Sequence, residues 1–312
     1  MRAVLVRDGK CVVSDVPEPV CGPDDVVITV KATAVNRLDV LQRKGIAKVP
    51  AGVTEVLGLE VSGVVAEIGA DCGKPLAVGQ AVCALVSGGA FAERVAVNWQ
   101  SVLAKPERLS FEAAAAVPET WLTAYQLLCV VGEMQSGDAV LVHAAASGVG
   151  VAAVQLAAKF GGSVVATASS QRKIDAASRL GAAAGVVVAR DAATGAPTAP
   201  WAAAAREANG GRGFDLVLDC VAGSYAADNV EALAVDGRWV LYALLGGQLK
   251  DDALAGSLFG KLLAKRVSLR ATTLRGRSVR RAASAIIIIF SRGADEMHRT
   301  MGISLTINHR TQ

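Results

Sequence analysis

Short apolar runs, separated by glycine, proline and aspartate, fill the first third of the chain. Residues 3–6, 26–30, 61–68, 80–86 and 91–97 read as strands between turn residues. Gly58, Gly63, Gly69, Gly73 and Gly79 punctuate them at the density of a small, tightly coiled β-barrel. One amphipathic helix, 36–44, interrupts this texture. At Ser110, a good N-cap residue, the pattern turns helical, and Pro118 starts a second helix that runs to about residue 131.

From residue 139 to about 273, strand-like and helix-like runs alternate. Strands are predicted at 140–143, 164–167, 185–188, 215–219, 238–242 and 267–271, with helices at 149–160, 171–180, 201–209, 225–235 and 253–265 between them. Six strands joined by five crossovers predict an α/β lobe with a doubly wound parallel sheet.

The first unit of that lobe, AVLVHAAASGVGVAAVQLAAKFGG over 139–162, sets its chemistry. Four apolar residues make a buried strand, and a small-residue turn from Ala144 to Gly150 follows at once. Val149, Ala153, Leu156 and Phe160 then recur at helical spacing. A strand, a turn without bulk and a helix N-terminus let a pyrophosphate approach backbone N–H groups. Ala144-x-x-Ser147-x-x-Gly150 departs from the glycine-rich dinucleotide fingerprint, yet Ser147 in the middle still offers a small side chain and a hydroxyl.

The residues about twenty positions later choose between dinucleotides. An NAD site carries a carboxylate there for the ribose 2′-hydroxyl. This chain has Thr167, Ala168, Ser169, Ser170, Gln171, Arg172 and Lys173, hydroxyls and cations with no acid. That set suits the 2′-phosphate of NADPH. Ser170 also suits the cap of the next helix, and the two roles are compatible. Two later strand ends, 219–224 and 242–247, are rich in glycine and should face the same crevice.

Composition narrows the setting. A chain of 312 residues suits two lobes, and 52% hydrophobic against 19% charged residues leaves ample material for a core. The net charge of +4 is too thinly spread to argue for nucleic acid, and the arginines at 275, 277, 280 and 281 lack interleaved aromatics. Six cysteines show no paired spacing, which fits free thiols in a reducing compartment. The first ten residues lack a signal-peptide core, and the apolar run 285–290 is far too short for a membrane span. The expectation is a cytoplasmic protein with neither membrane nor nucleic-acid partners.

Six ordered stretches resemble one superfamily. They are AVNRLDVLQRKG (34–45), VLGLEVSGVV (56–65), VPETWLTAYQLL (117–128), HAAASGVG (143–150), LDCVAGSY (218–225) and DGRWVLYALLGG (236–247). In this order they resemble the medium-chain dehydrogenase/reductases, and within them the zinc-free quinone oxidoreductases related to zeta-crystallin, nearest the p53-inducible quinone oxidoreductase subgroup. The resemblance implies a GroES-like barrel domain over 1–118 and a Rossmann NADPH-binding domain over 119–274. Zinc alcohol dehydrogenases of the superfamily place Cys and Gly-His-Glu in the catalytic cleft. Asn36 and Gly58-Leu59-Glu60 stand in those places here, so no zinc is expected. Without a Lewis acid, alcohol oxidation is disfavoured, and hydride transfer to an already electrophilic quinone remains.

The same resemblance implies site residues. Asn36, Gln42 and Thr123 would line the nicotinamide and substrate cleft. Ala145, Ser147, Gly148, Val149, Gly150, Ser170 and Lys173 would hold phosphates, and Tyr242, Leu244, Leu245 and Gly246 would border the nicotinamide. Glu60 is assigned a structural role. An NADPH-dependent enone or alkenal double-bond reductase and a catalytically weak NADPH-binding protein are the alternatives. A homodimer paired along the strand near 267–273 is implied. Two departures stand out: Ile46, Ala47 and Lys48 replace a substrate-facing tyrosine of relatives, and 275–312 reads as a divergent or truncated segment.

Overall fold

The computed structural model describes residues 1–248 and 252–274. A first compact unit spans Met1–Leu122, and a second begins at Thr123.

In the first unit, β1 (Arg2–Arg7) and β2 (Lys10–Asp15) form an antiparallel hairpin. Its turn is Asp8-Gly9, with φ of 49° and 72° at the two residues. Positive φ at both central positions gives a turn whose twist matches the strands. There follow β3 (Asp25–Thr33), α1 (Arg37–Arg43), β4 (Glu60–Ile68), β5 (Ala81–Leu85), β6 (Arg94–Asn98), β7 (Val102–Ala104), α2 (Phe111–Ala115) and α3 (Pro118–Tyr125). Strands β6-β3-β4-β5-β7 make one antiparallel sheet in that order. Val26, Ile28, Val61, Val65, Val82 and Val95 fill its core. Two shifts of register along β3 and β4 coil the sheet, as the glycine density predicts.

Two strands were not foreseen. β2 keeps Cys11, Val12 and Val13 exposed, so no alternation of burial marks it, and β7 is only three residues long. The helix predicted to run from Pro118 to 131 changes form: α3 ends at Tyr125 and a π-helical stretch continues through Gln126–Val131.

The second unit alternates as predicted. It comprises β8 (Ala139–Val142), α4 (Gly148–Lys159), β9 (Ser163–Ala168), α5 (Gln171–Arg179), β10 (Ala184–Val187), α6 (Ala202–Ala208), β11 (Phe214–Asp219), α7 (Ala226–Ala232), β12 (Leu233–Leu241), α8 (Asp252–Ala264) and β13 (Ser268–Ala271). All pairs in the sheet are parallel, in the order β10-β9-β8-β11-β12-β13. The chain winds one way from β8 to β10 and the other way from β11 to β13. The switch lies between β8 and β11, where a doubly wound sheet opens a crevice at its carboxyl edge. All four residues of β8 are buried, the reason for an unbroken apolar run. One boundary differs from expectation: α7 stops at Ala232 because Leu233 pairs with Phe214 and begins β12.

Among the described residues no helix is long and apolar enough to cross a membrane, and all six cysteines are free thiols. The apolar run 285–290, the basic run after 274 and the segment 275–312 lie outside the described residues.

Candidate functional site

The turn between β8 and α4 has the form that its sequence implies. Ser147 is the N-cap of α4, in extended conformation (φ −78°, ψ 168°), and its Oγ accepts the Gly150 N–H at 3.1 Å. Gly148 and Val149 form the first turn of the helix, where amide hydrogens have no helical partner. Ser147 and Gly148 are exposed, whereas Ala145 is fully buried and donates its N–H to the Thr167 carbonyl at 3.0 Å. Gly150 packs on the turn itself. A Cβ there would stand 2.7 Å from the Ala145 Cα and carbonyl carbon, and closer still to the Ala144 oxygen. The turn therefore offers a small cradle at a helix N-terminus, which fits a phosphate.

At the end of β9 lie the residues expected to meet a 2′-phosphate. Ser170 is the N-cap of α5 by backbone conformation, yet its hydroxyl makes no capping bond. The Lys173 ammonium, on the exposed side of α5, donates to Ser169 Oγ at 2.8 Å. Hydroxyl and cation thus stand one helical turn apart with no carboxylate among residues 167–173.

The third group comes from β11 and β12. Tyr242, Leu245 and Gly246 donate backbone N–H bonds to the carbonyls of Asp219, Cys220 and Val221 at 2.9, 2.9 and 2.8 Å. The loop after β12 is thereby laid along the loop after β11. Gly223 has no room for a side chain, since a Cβ would meet the Gly247 oxygen at 2.6 Å. Leu244 and Leu245 leave about half of their surface exposed, at 53% and 45%. Every residue assigned to cofactor binding lies in the Rossmann-like unit, in segments that follow the carboxyl ends of β8, β9 and β12.

Asn36 and Gln42 belong to the first unit, and Thr123 to the second. Thr123 is buried in α3, and Gln42 is half-buried in the last turn of α1. Asn36 is the N-cap of α1, with its own N–H donated to Asp39 Oδ2 at 2.7 Å. The other Asp39 oxygen accepts the Gly58 N–H at 3.1 Å. Asn36 Nδ2 donates to Glu60 Oε1 at 2.8 Å, and Glu60 Oε2 accepts the Glu119 N–H at 2.8 Å.

Glu60 is thus more closely tied to Asn36 than its sequence position suggests. It is buried, and burial raises its pKa to about 8, against two hydrogen bonds that favour the charged form. A folded-state pKa above the ordinary value of 4.5 makes its contribution to stability full below that value and lost as pH rises through about 8. Glu60→Gln should abolish this dependence. The melting temperature of the natural chain is expected to fall relative to the variant between about pH 5 and pH 8. A difference that does not change with pH would show that Glu60 titrates normally.

Comparison with known proteins agrees with this geometry. The alcohol dehydrogenase GroES-like domain model matches residues 22–107, and the zinc-binding dehydrogenase model matches 148–291. A solved NAD-dependent alcohol dehydrogenase is 32% identical, with a TM-score of 0.79 over 95% of this chain and 90% of that one. The chain belongs to the medium-chain dehydrogenase/reductase superfamily. A quinone oxidoreductase of Pseudomonas syringae pv. Tomato DC3000 is 25% identical, with a TM-score of 0.76 over 96% of this chain and 88% of that one. A highly reducing polyketide synthase of Aspergillus terreus is 37% identical over 221 residues, 70% of this chain. This chain spans only 8% of that synthase's length.

The superfamily includes zinc enzymes, and the donor set here does not fit the metal. Leu59 has no ligating atom, and asparagine, as at Asn36, is a poor zinc ligand. The dinucleotide fits. Members of the superfamily bind NAD(P)H, and the turn around Gly150 presents a helix N-terminus with no bulky side chain, which suits a phosphate.

Proposed function

We propose that the chain is a zinc-independent, NADPH-dependent reductase whose acceptor is a quinone, of the zeta-crystallin type within its superfamily. The observation that carries this reading is the Asn36–Glu60 pair in the place of zinc ligands. Without a Lewis acid, alcohol oxidation is disfavoured, which favours an acceptor that is already electrophilic before it binds. Bound NADPH supplies a hydride. The chain's residues then have three tasks. Ala145 and Ser147 to Gly150 hold the pyrophosphate, Ser170 and Lys173 hold the 2′-phosphate, and Tyr242 with Leu244 to Gly246 borders the nicotinamide. Asn36, fixed by Glu60, has a second amide hydrogen to offer an acceptor oxygen. The chain acts in the cytoplasm as a homodimer paired along the β13 edge.

A second reading, reduction of an enone or enoyl double bond, draws support from the highly reducing polyketide synthase relative. Purified chain with NADPH and either an ortho-quinone or an enoyl thioester separates the two. Faster NADPH oxidation with the quinone, insensitive to a chelator, is expected. Turnover of the enoyl thioester alone would replace the first reading by the second. Binding without turnover of either would leave a nucleotide-binding protein, and no binding would overturn every version.

Cofactor choice has its own test. Lys173 is exposed, so one charge-assisted bond to a 2′-phosphate adds about 1.5 kcal/mol. Lys173→Ala should therefore raise the Kd for NADPH about tenfold and leave that for NADH unchanged. Equal effects on both, or a natural preference for NADH, would refute the assignment of Ser170 and Lys173.

A further inference from the structure

A chain of buried hydrogen-bonded side chains crosses the carboxyl ends of β9, β8 and β11. Thr167 Oγ1 lies 2.8 Å from His143 Nδ1, and His143 Nε2 lies 2.7 Å from Asn229 Oδ1. Asn229 Nδ2 donates to Asp219 Oδ2 at 2.9 Å, and Trp239 Nε1 donates to the same oxygen at 3.0 Å. Asp219 Oδ1 accepts the backbone N–H groups of Val221 and Ala222 at 2.7 and 2.9 Å. Thr167, His143, Asn229 and Asp219 are all buried. The rings of Trp201 and Tyr225 meet the His143 ring edge-on, with centroids 4.9 and 5.0 Å away.

Asp219 sets the direction of this chain. Four N–H donors converge on its two oxygens, so Asn229 presents its amide nitrogen there and its oxygen to His143. His143 then carries its ring hydrogen on Nε2 and accepts the Thr167 hydroxyl at Nδ1. Burial lowers the His143 pKa, which keeps the ring in the neutral form this pattern needs.

Each end of the chain controls a turn held in an unusual conformation. Ala144, directly after His143, has φ of 48°, and Ala222, held by Asp219, has φ of 59°. Both are left-handed, a region that residues with a Cβ enter only when their surroundings hold them there. Thr167 grips the first turn twice, through His143 and through its own carbonyl on the Ala145 N–H. The second turn carries the backbone of Tyr242, Leu245 and Gly246. The cofactor residues that follow β8 and β12 therefore hang from one polar network.

We propose that Thr167, His143, Asn229 and Asp219 are positioning residues that lock the phosphate turn and the loop at 220–223 into one preset arrangement for a dinucleotide. This rests on the nucleotide reading given above. A turn that is already ordered loses less entropy when the ligand arrives, so the network's effect is read as affinity.

Binding of two probes to the purified full chain tests this. NADPH spans both turns, whereas adenosine 2′-monophosphate needs only the Ser170 and Lys173 end. Thr167→Val removes the hydroxyl at nearly constant shape, and Thr167→Ser keeps it. Thr167→Val is expected to weaken NADPH about tenfold, to leave adenosine 2′-monophosphate within about twofold, and Thr167→Ser to restore NADPH binding. Asn229→Leu, which cuts the link to Asp219, should repeat the Thr167→Val result and serves if that variant does not fold. Unchanged NADPH affinity, equal weakening of both probes, or failure of both variants to fold would overturn the positioning role. Absence of NADPH binding by the natural chain would instead defeat the nucleotide reading itself.

Discussion

Gly150→Ala should weaken NADPH binding by about a hundredfold or more, although helix propensity alone argues that the change is harmless. Gly150 lies in the first turn of α4, and replacing glycine by alanine within a helix ordinarily stabilises it by up to about 1 kcal/mol. The packing reverses that sign. The new methyl carbon would stand 2.7 Å from the Ala145 Cα and carbonyl carbon. Those atoms are backbone, and the turn they belong to is anchored by the Ala145 bond to Thr167. Relief requires the helix N-terminus and the turn to part by several tenths of an ångström, which spoils the alignment of N–H groups with the pyrophosphate. Gly260→Ala is the control: it lies in α8, exposed, with nothing within 4 Å of its added carbon. That substitution should raise the melting temperature and leave NADPH affinity unchanged. Titration of both variants by nucleotide fluorescence distinguishes the cases, and retained affinity in Gly150→Ala would remove the turn from the cofactor site.

The contrast between these two glycines indicates what the sequence could reveal. The strand-turn-helix order around 139–162 was legible because burial of β8 on both faces demands an unbroken apolar run. The lack of an acid between Thr167 and Lys173 was equally legible, being a local property of one loop. The hairpin β1–β2 carried a readable signal in Asp8-Gly9, but β2 buries little and its side chains show no period. The polar contacts were hidden for a different reason. Asn36 meets Glu60 across 24 positions, and His143 meets Asn229 across 86. No spacing rule reaches that far, because such pairs exist only once the sheets have formed. The structural role of Glu60 has a definite form in the fold, since its carboxylate accepts the Asn36 amide hydrogen.

Asp219→Ala should cost the Rossmann-like unit about 3–5 kcal/mol, the largest stability effect expected of any single substitution in this network. The carboxylate is fully buried and receives four N–H donors, from Val221, Ala222, Asn229 and Trp239. Alanine would leave these donors without an acceptor among apolar neighbours, and each such loss costs about 1–3 kcal/mol before local adjustment or entry of water. Asp219→Asn is the more informative change. One amide oxygen can still accept, but the amide nitrogen must face donors, so part of the array is lost and about 2–3 kcal/mol of stability with it. Trp239 bonds directly to the carboxylate and Trp201 lies in the same unit, so urea unfolding followed by tryptophan fluorescence includes the transition of this unit. If Asp219→Asn were as stable as the natural chain, the carboxylate's accepting capacity would not be what holds the loops. If it lost stability while Asp219→Ala lost more, the order of the two would locate the effect in unpaired N–H donors.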